Sequence, residues 1–371
     1  LKKIKQRYLL AVIVGFIGLI LTACTYFATE IYHRNDVALI TDTTIKDTLV
    51  EKSKDVYDNK DETRKQILHL KILSGKYKNK KFTATNLYYP SQLVTQKYRC
   101  RQRVFVSIKN GDLTIQNPKR DWVIVLALTV MITLMIAISG KQAVGLILSM
   151  TLSWVLFYIV ILLDIKLNGA YVVLLFGLAD VIFSFFSLLI VQGLNRKMMV
   201  TWLATLLGVF VSFALCYLIM RLTGESEIKY ETGDYATQDP RGIFLAQTLL
   251  GILGAVMDEA TDIISSLYEL IQTKKEITAK QLIISGRTMG QEIMGPLINV
   301  LVLIFMSEAL PLTIIYLRDN NSLSSTFGFT LSLGVTQSVV SAIGIVLTVV
   351  FATGCSLLFL KNDWWKASDQ K

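Results

Sequence analysis

The chain has 371 residues, 53% of them hydrophobic and 18% charged, with a net charge of +10 and a mean hydropathy of +0.50. A soluble domain of this length needs far more surface charge, so a soluble enzyme, a disordered chain and a nucleic-acid reader are all excluded. The apolar residues fall in blocks long enough to cross a bilayer, and the lipid bilayer is therefore the first expected partner.

A hydrocarbon core of about 30 Å takes roughly 20 helical residues. Eight stretches reach that length, near 8–28, 122–139, 143–163, 170–191, 199–220, 242–264, 296–317 and 333–360. With the N-terminus in the cytoplasm, 14 Lys and Arg fall in inner segments and 5 in short outer loops, the asymmetry expected of a correctly oriented chain. Both termini are then cytoplasmic. The acidic loop 221–241, with Glu225, Glu227, Glu231, Asp234 and Asp239, lies outside, and so does the long segment 30–121. The sequence divides into 1–29 (N-terminus and first helix), 30–121 (exported domain) and 122–371 (seven transmembrane helices). Leu21-Thr22-Ala23-Cys24 after a basic start also reads as a lipoprotein-like signal, which would place a lipid anchor on Cys24.

Residues 30–65 are polar and mixed in charge and read as a solvated linker or helix. From 66 to 117 the period changes to two. Leu68, Leu70 and Ile72 alternate with His69 and Lys71, Ser74-Gly75 turns the chain, and 82–85 is placed to pair back. Val104, Val106 and Ile108 alternate again, and Asn110-Gly111 is a strong two-residue hairpin signal before Leu113 and Ile115. The fold class expected is an all-α polytopic membrane bundle of about eight helices, with a small exported β-barrel-like (OB- or SH3-like) domain between helices 1 and 2. The excess of Lys and Arg in the exported segment suits an anionic envelope polymer as partner.

Polar residues inside apolar spans point to function, because an ionisable group at the bilayer centre is costly. In the sixth span Gly251, Gly254, Asp258, Asp262, Ser265, Ser266 and Glu269 follow helical spacings of three and four, with Glu259 flanking them. Several acids on one face are tolerable only where that face meets protein or water. Next, Gly286, Gly290, Gly295 and Pro296 weaken regular helix and permit a break or a close approach, with Glu292 and Asn299 seven residues apart beside it. Gln337, Ser341, Gly344 and Thr348 form a stripe in the eighth span, of the kind that packs helices together. Asp180 stands alone among Val, Ile and Phe in mid-span, where a carboxyl pairs, takes up a proton or relays one. His33 and His69 are too far apart for a His-rich site, and the four cysteines (Cys24, Cys100, Cys216, Cys355) lack ligand spacing. No metal or other cofactor is expected.

Two of these stretches carry a family likeness. Residues 254–258 with 265–269, then 285–295 and Asn299, resemble the signature of the YibE/F-like bacterial membrane proteins. The run 72–80 with Asn86 resembles that family's exported strand-turn-strand, and Gly140-Lys141 resembles the loop after its second span. Cys100-Arg101-Gln102-Arg103 departs from the Gly-Asp turn usual there, and Pro296 and Val300 stand where small hydroxylated residues are usual. The resemblance implies a multi-pass protein of the bacterial plasma membrane, of a kind often described as a permease, and it carries no substrate. The expectation is a transporter, not an enzyme, coupled to a cation or to protons through Asp258, Glu259, Asp262, Glu292, Asn299 and Asp180, as a homo-oligomer or with a paralogous subunit. A non-transporting envelope scaffold or sensor that binds through the exported domain is the alternative.

Overall fold

The computed structural model describes residues 2–29, 36–54, 56–91, 95–109, 112–140, 142–224, 230, 239–274 and 277–361. The chain divides into two units, 1–144 and 145–371. Among the described residues eight helices are long and apolar enough to cross a membrane, and a small antiparallel sheet lies between the first and second.

In the first unit, α1 (Lys2–Phe27) and α2 (Asp121–Ser139) pack as a pair. Gly18 and Gly15 face Thr129 and Thr133 so closely that a Cβ on Gly18 would collide with the threonine. Small residues let two backbones approach in lipid, where burial of apolar surface gives no drive of its own. The last carbonyls of α1 have no partner within the helix. Lys119, whose side chain is nearly fully enclosed, donates to the Thr25 carbonyl while pairing with Asp121 at 3.0 Å. Arg103 donates to the Tyr26 carbonyl and lies 4.5 Å from the centre of the Tyr26 ring. The sheet is therefore anchored to the end of the first span by two cations.

Six strands form that sheet: β1 (Asp36–Ile40), β2 (Lys46–Lys54), β3 (Lys60–Ile72), β4 (Lys81–Tyr88), β5 (Arg103–Lys109) and β6 (Asp112–Pro118). Their order is β2-β3-β1-β5-β6, with β4 paired to β3. One edge of the long β3 serves β2 in its first half and β1 at its end, and the other edge holds β4 with Leu70 opposite Phe82. The inward residues Ala38, Ile40, Leu68, Leu70, Ile72, Val104 and Val106 build the core. Among the described residues no ladder joins the two ends, so the barrel is not closed.

Within the expected linker 30–65 the described residues form neither a linker nor a helix: they hold β1, β2 and the start of β3. Apart from Asp47, β2 is exposed along its length and rich in Lys, as befits an edge strand guarded against pairing with other chains, and such a strand has no alternation to read. Asn110-Gly111 lies outside the described residues, although Lys109 and Asp112 on either side of it are paired. The Ser74-Gly75 turn is present: Gly75 has φ +77 and its Cα abuts the Asp36 carboxylate, a place where a Cβ would clash.

The second unit contains α3 (Gln142–Lys166, whose first residues belong to the first unit), α4 (Val172–Gln192), α5 (Arg196–Thr223), α6 (Pro240–Thr273), α7 (Ala279–Arg318), α8 (Leu323–Thr326) and α9 (Ser332–Cys355). π-helical turns at Phe327–Leu331 and Ser356–Lys361 flank α9. The helix starts are written locally. Asn195 caps α5 through the Met198 amide at 2.7 Å, Asp239-Pro240 opens α6, and Thr278 with Gln281 forms a reciprocal capping box on α7. α6 is the most enclosed helix of the unit and α7 the least. Most of the acidic loop 221–241, at 225–229 and 231–238, lies outside the described residues.

On the sheet, Asp47 accepts from Lys97 and from the Tyr88 hydroxyl, both at 2.7 Å. Burial pushes its carboxyl up, but those two hydrogen bonds together with the charges of Lys97 and Arg64 outweigh burial and hold it below the ordinary value of 3.8. A depressed carboxyl stabilises the folded form above its unfolded value and loses that contribution as pH falls through the folded one. Asp47→Asn should lower sheet stability by about 1 kcal/mol near neutral pH. The difference from the parent should close as pH falls below about 4, when thermal unfolding is followed by circular dichroism.

Candidate functional site

The apolar packing of the helical unit separates into two clusters. One joins Val209, Cys216 and Met220 of α5, the α6 residues from Phe244 to Val256, and Val340 of α9. The other joins Val200 and Ala204 of α5, Ile263, Ile264 and Leu267 of α6, Leu282 of α7, and Ala352 and Cys355 of α9. Between them each helix turns polar or small: Thr205 and Gly208 on α5, Glu259 on α6, and Ser341, Gly344 and Thr348 on α9.

Close helix approach makes this seam. A Cβ on Gly208 would lie 2.6 Å from the Thr348 hydroxyl and 2.7 Å from Val256, and one on Gly344 would lie 3.0 Å from Ile252 and 3.2 Å from the Ser212 hydroxyl. Thr201, Thr205, Ser212, Ser341 and Thr348 are all fully buried. Thr201, Thr205, Gly208 and Ser212 recur at spacings of four, three and four, so they share one face of α5. That stripe escaped the sequence reading, although its spacing was visible.

Glu259 is 0% exposed, and neither carboxylate oxygen has a hydrogen-bond partner among the described residues. Asp180 on α4 is equally enclosed and equally without partners. The Ser184 hydroxyl beside it donates to the Asp180 main-chain carbonyl at 2.7 Å and not to the carboxylate. An unpaired charge in such surroundings costs several kcal/mol.

The remaining expected site residues fall elsewhere. Asp258, Asp262 and Glu269 are exposed, Ser265 and Ser266 are half-buried, and Gly254 is exposed with open space where a Cβ would stand. The acidic stripe therefore faces away from the unit's packed interior. The inward side of α6 is set by Ile252, Val256, Ile263 and Leu267, and Glu259, about 100° round the helix from Asp258, is the acid that shares it. Gly251 alone of the stripe's two glycines packs closely, against Gln337.

The expected break at 286–296 is absent, and α7 runs through Gly295 and Pro296, both exposed. Gly286 and Gly290 serve close packing instead: their Cα atoms abut Thr353 and Val349 of α9, so the glycines answer to a neighbouring helix. Glu292 and Asn299 are exposed together on another side of α7 and are not brought to Glu259's seam. The eighth-span stripe is where expected, with Gln337, Ser341, Gly344 and Thr348 all buried.

Residues 127–362 match the family described as YibE/F-like protein, and residues 30–118 match the YibE/F family N-terminal domain. The chain belongs to the YibE/F family. The first match takes in Asp180 and all the helices that line the seam, and the second takes in the whole sheet. No curated protein and no solved structure shows significant similarity to this YibE/F chain.

Gly208→Ala gains about 1 kcal/mol in helix propensity, whereas forcing a methyl into this contact costs about 1–3 kcal/mol. The variant should therefore unfold at a lower temperature than the parent in lipid nanodiscs, read by tryptophan fluorescence. An unchanged or raised midpoint would show that the α5–α9 approach is looser than these distances.

Proposed function

We propose that this YibE/F protein is a membrane permease whose path passes through the seam at Glu259, with Asp180 as a second ionisable station on α4. The observation that carries this reading is a carboxyl sealed among transmembrane helices with no hydrogen-bond partner among the described residues. A group so costly to bury is kept in membrane helices where ions or solutes pass. Asp258, Asp262, Glu292 and Asn299, all exposed, take no part in the sealed station and are assigned instead to a mouth of the path or to contact with another subunit. The protein carries out no covalent chemistry in this reading. It sits in the bacterial plasma membrane with both termini in the cytoplasm and residues 30–121 outside, an orientation that rests on the Lys and Arg asymmetry.

The test is an inventory of metabolites and metal ions in cells with and without the gene, repeated for Glu259→Gln and Asp258→Asn at matched membrane levels. Glu259→Gln should reproduce the gene deletion, with at least a tenfold loss of any flux found, and Asp258→Asn should retain most of it. Full flux in Glu259→Gln would overturn the assignment. Full activity in that variant, with loss on disruption of the sheet's core at Leu70, would favour the sensor reading.

A further inference from the structure

Most of the buried hydroxyls on the seam faces of α5 and α9 have their protons committed. Thr201 donates to the Lys197 carbonyl at 2.8 Å, Thr205 to the Thr201 carbonyl at 2.8 Å, Ser212 to the Gly208 carbonyl at 2.7 Å and Thr348 to the Gly344 carbonyl at 2.7 Å. A hydroxyl has one proton and two lone pairs, so each of these groups turns only acceptors toward the rest of the seam. Ser341 is the one seam hydroxyl among them with no hydrogen bond. An ionised carboxylate accepts hydrogen bonds and cannot donate, so surroundings rich in acceptors leave it unsatisfied. A neutral carboxyl carries no charge to be solvated, so enclosing it without a partner costs far less than enclosing the ionised form.

Among the described residues no cation pairs with the Glu259 carboxylate. Along α5 the charged residues are Arg196, Lys197 and Arg221, at its two ends. α9 has no charged residue, and Cys355 is its only titratable one. The single charged residue of α4 is Asp180. α7 contributes Arg287 and Glu292, both exposed, with Lys280, Glu308 and Arg318 further along it. The last π-helical turn ends at Lys361, whose side chain lies outside the described ones. On α6 itself the nearest charged neighbours are Asp258 and Asp262, both acids, so neither supplies a counter-charge.

A metal cation would need several oxygen ligands. The helices α5, α6 and α9 run through this level without a break, so their carbonyls are engaged in helical hydrogen bonds. Among the described residues no three His, Cys, Asp or Glu side chains are grouped to hold a metal.

We infer that Glu259 holds a proton in the closed state, and that the ion coupled to the path is H⁺. The step is simple. When the seam opens to water, the Glu259 O–H bond breaks, the proton passes to a water oxygen, and the electron pair remains on the carboxylate. Closure follows re-protonation from the other side. The coupling half of this inference rests on the permease reading above, whereas the protonation half rests on donors, acceptors and enclosure alone.

Infrared difference spectroscopy of the full chain in lipid nanodiscs at neutral pH reads the protonation half without any transport assay. The parent should show a carboxylic-acid C=O band that shifts in D2O. Glu259→Gln should lose one component of that band, and Glu259→Asp should retain a component at a shifted frequency. Loss of a separate component in Asp180→Asn serves as an internal control. A carboxylic band identical in Glu259→Gln and the parent would overturn the inference, and so would disappearance of the Glu259 component on addition of sodium or potassium ions. If the band behaves as expected but proteoliposomes show no Glu259-dependent dissipation of a pH gradient, the permease reading fails while the protonated group stands.

Discussion

A carboxyl group shut between packed helices must find a proton, a cation or hydrogen-bond donors, and this demand organises the helical unit. Glu259 sits where α5, α6 and α9 exchange branched apolar contacts for glycine and hydroxyl contacts. Above and below it lie the apolar clusters around Leu249 and Ile263. Small residues at the seam permit the close approach that seals the carboxyl, and the hydroxyls there, Ser341 excepted, satisfy themselves along their own helices. Among the described residues no donor reaches the Glu259 carboxylate, which opposes a charged acid far more than a neutral one.

The same helix carries two kinds of acid. Asp258, Asp262 and Glu269 lie on the outward face of α6, and Gly254 beside them leaves room for a close neighbour. At 34 residues α6 exceeds the roughly 20 needed to cross the hydrocarbon core, so its later acids approach the interface, where a charge costs far less than at the centre. Inward and outward acids thus face different constraints: one is sealed from water, and the others must reach water or protein.

Much of this was legible in the sequence because it depends on local rules. Helix length, caps such as Asn195 and Thr278, and alternation at Leu68-Leu70-Ile72 are each written in a few adjacent residues. What could not be read depends on which side a neighbour occupies. Asp258 and its stripe formed a clean helical face, but nothing local says whether that face looks inward; the apolar residues Ile252, Val256 and Ile263 decide it, and they leave Glu259 inside. Gly286 and Gly290 looked like breakers because the helix packed on them, α9, lies some sixty residues further along the chain. β2 lacked alternation since, Asp47 apart, neither of its faces is covered, and β1 was hidden by polar flanks.

Thiol reactivity in native membranes tests the enclosure of Glu259 most directly. In a chain with its four natural cysteines replaced, Glu259→Cys and Asp258→Cys are exposed to a small membrane-permeant maleimide before and after denaturation. The account predicts that the thiol at 259 stays unmodified while the protein is folded and reacts fully once it is denatured. Labelling of the folded Glu259→Cys protein as fast as, or faster than, Asp258→Cys would contradict it.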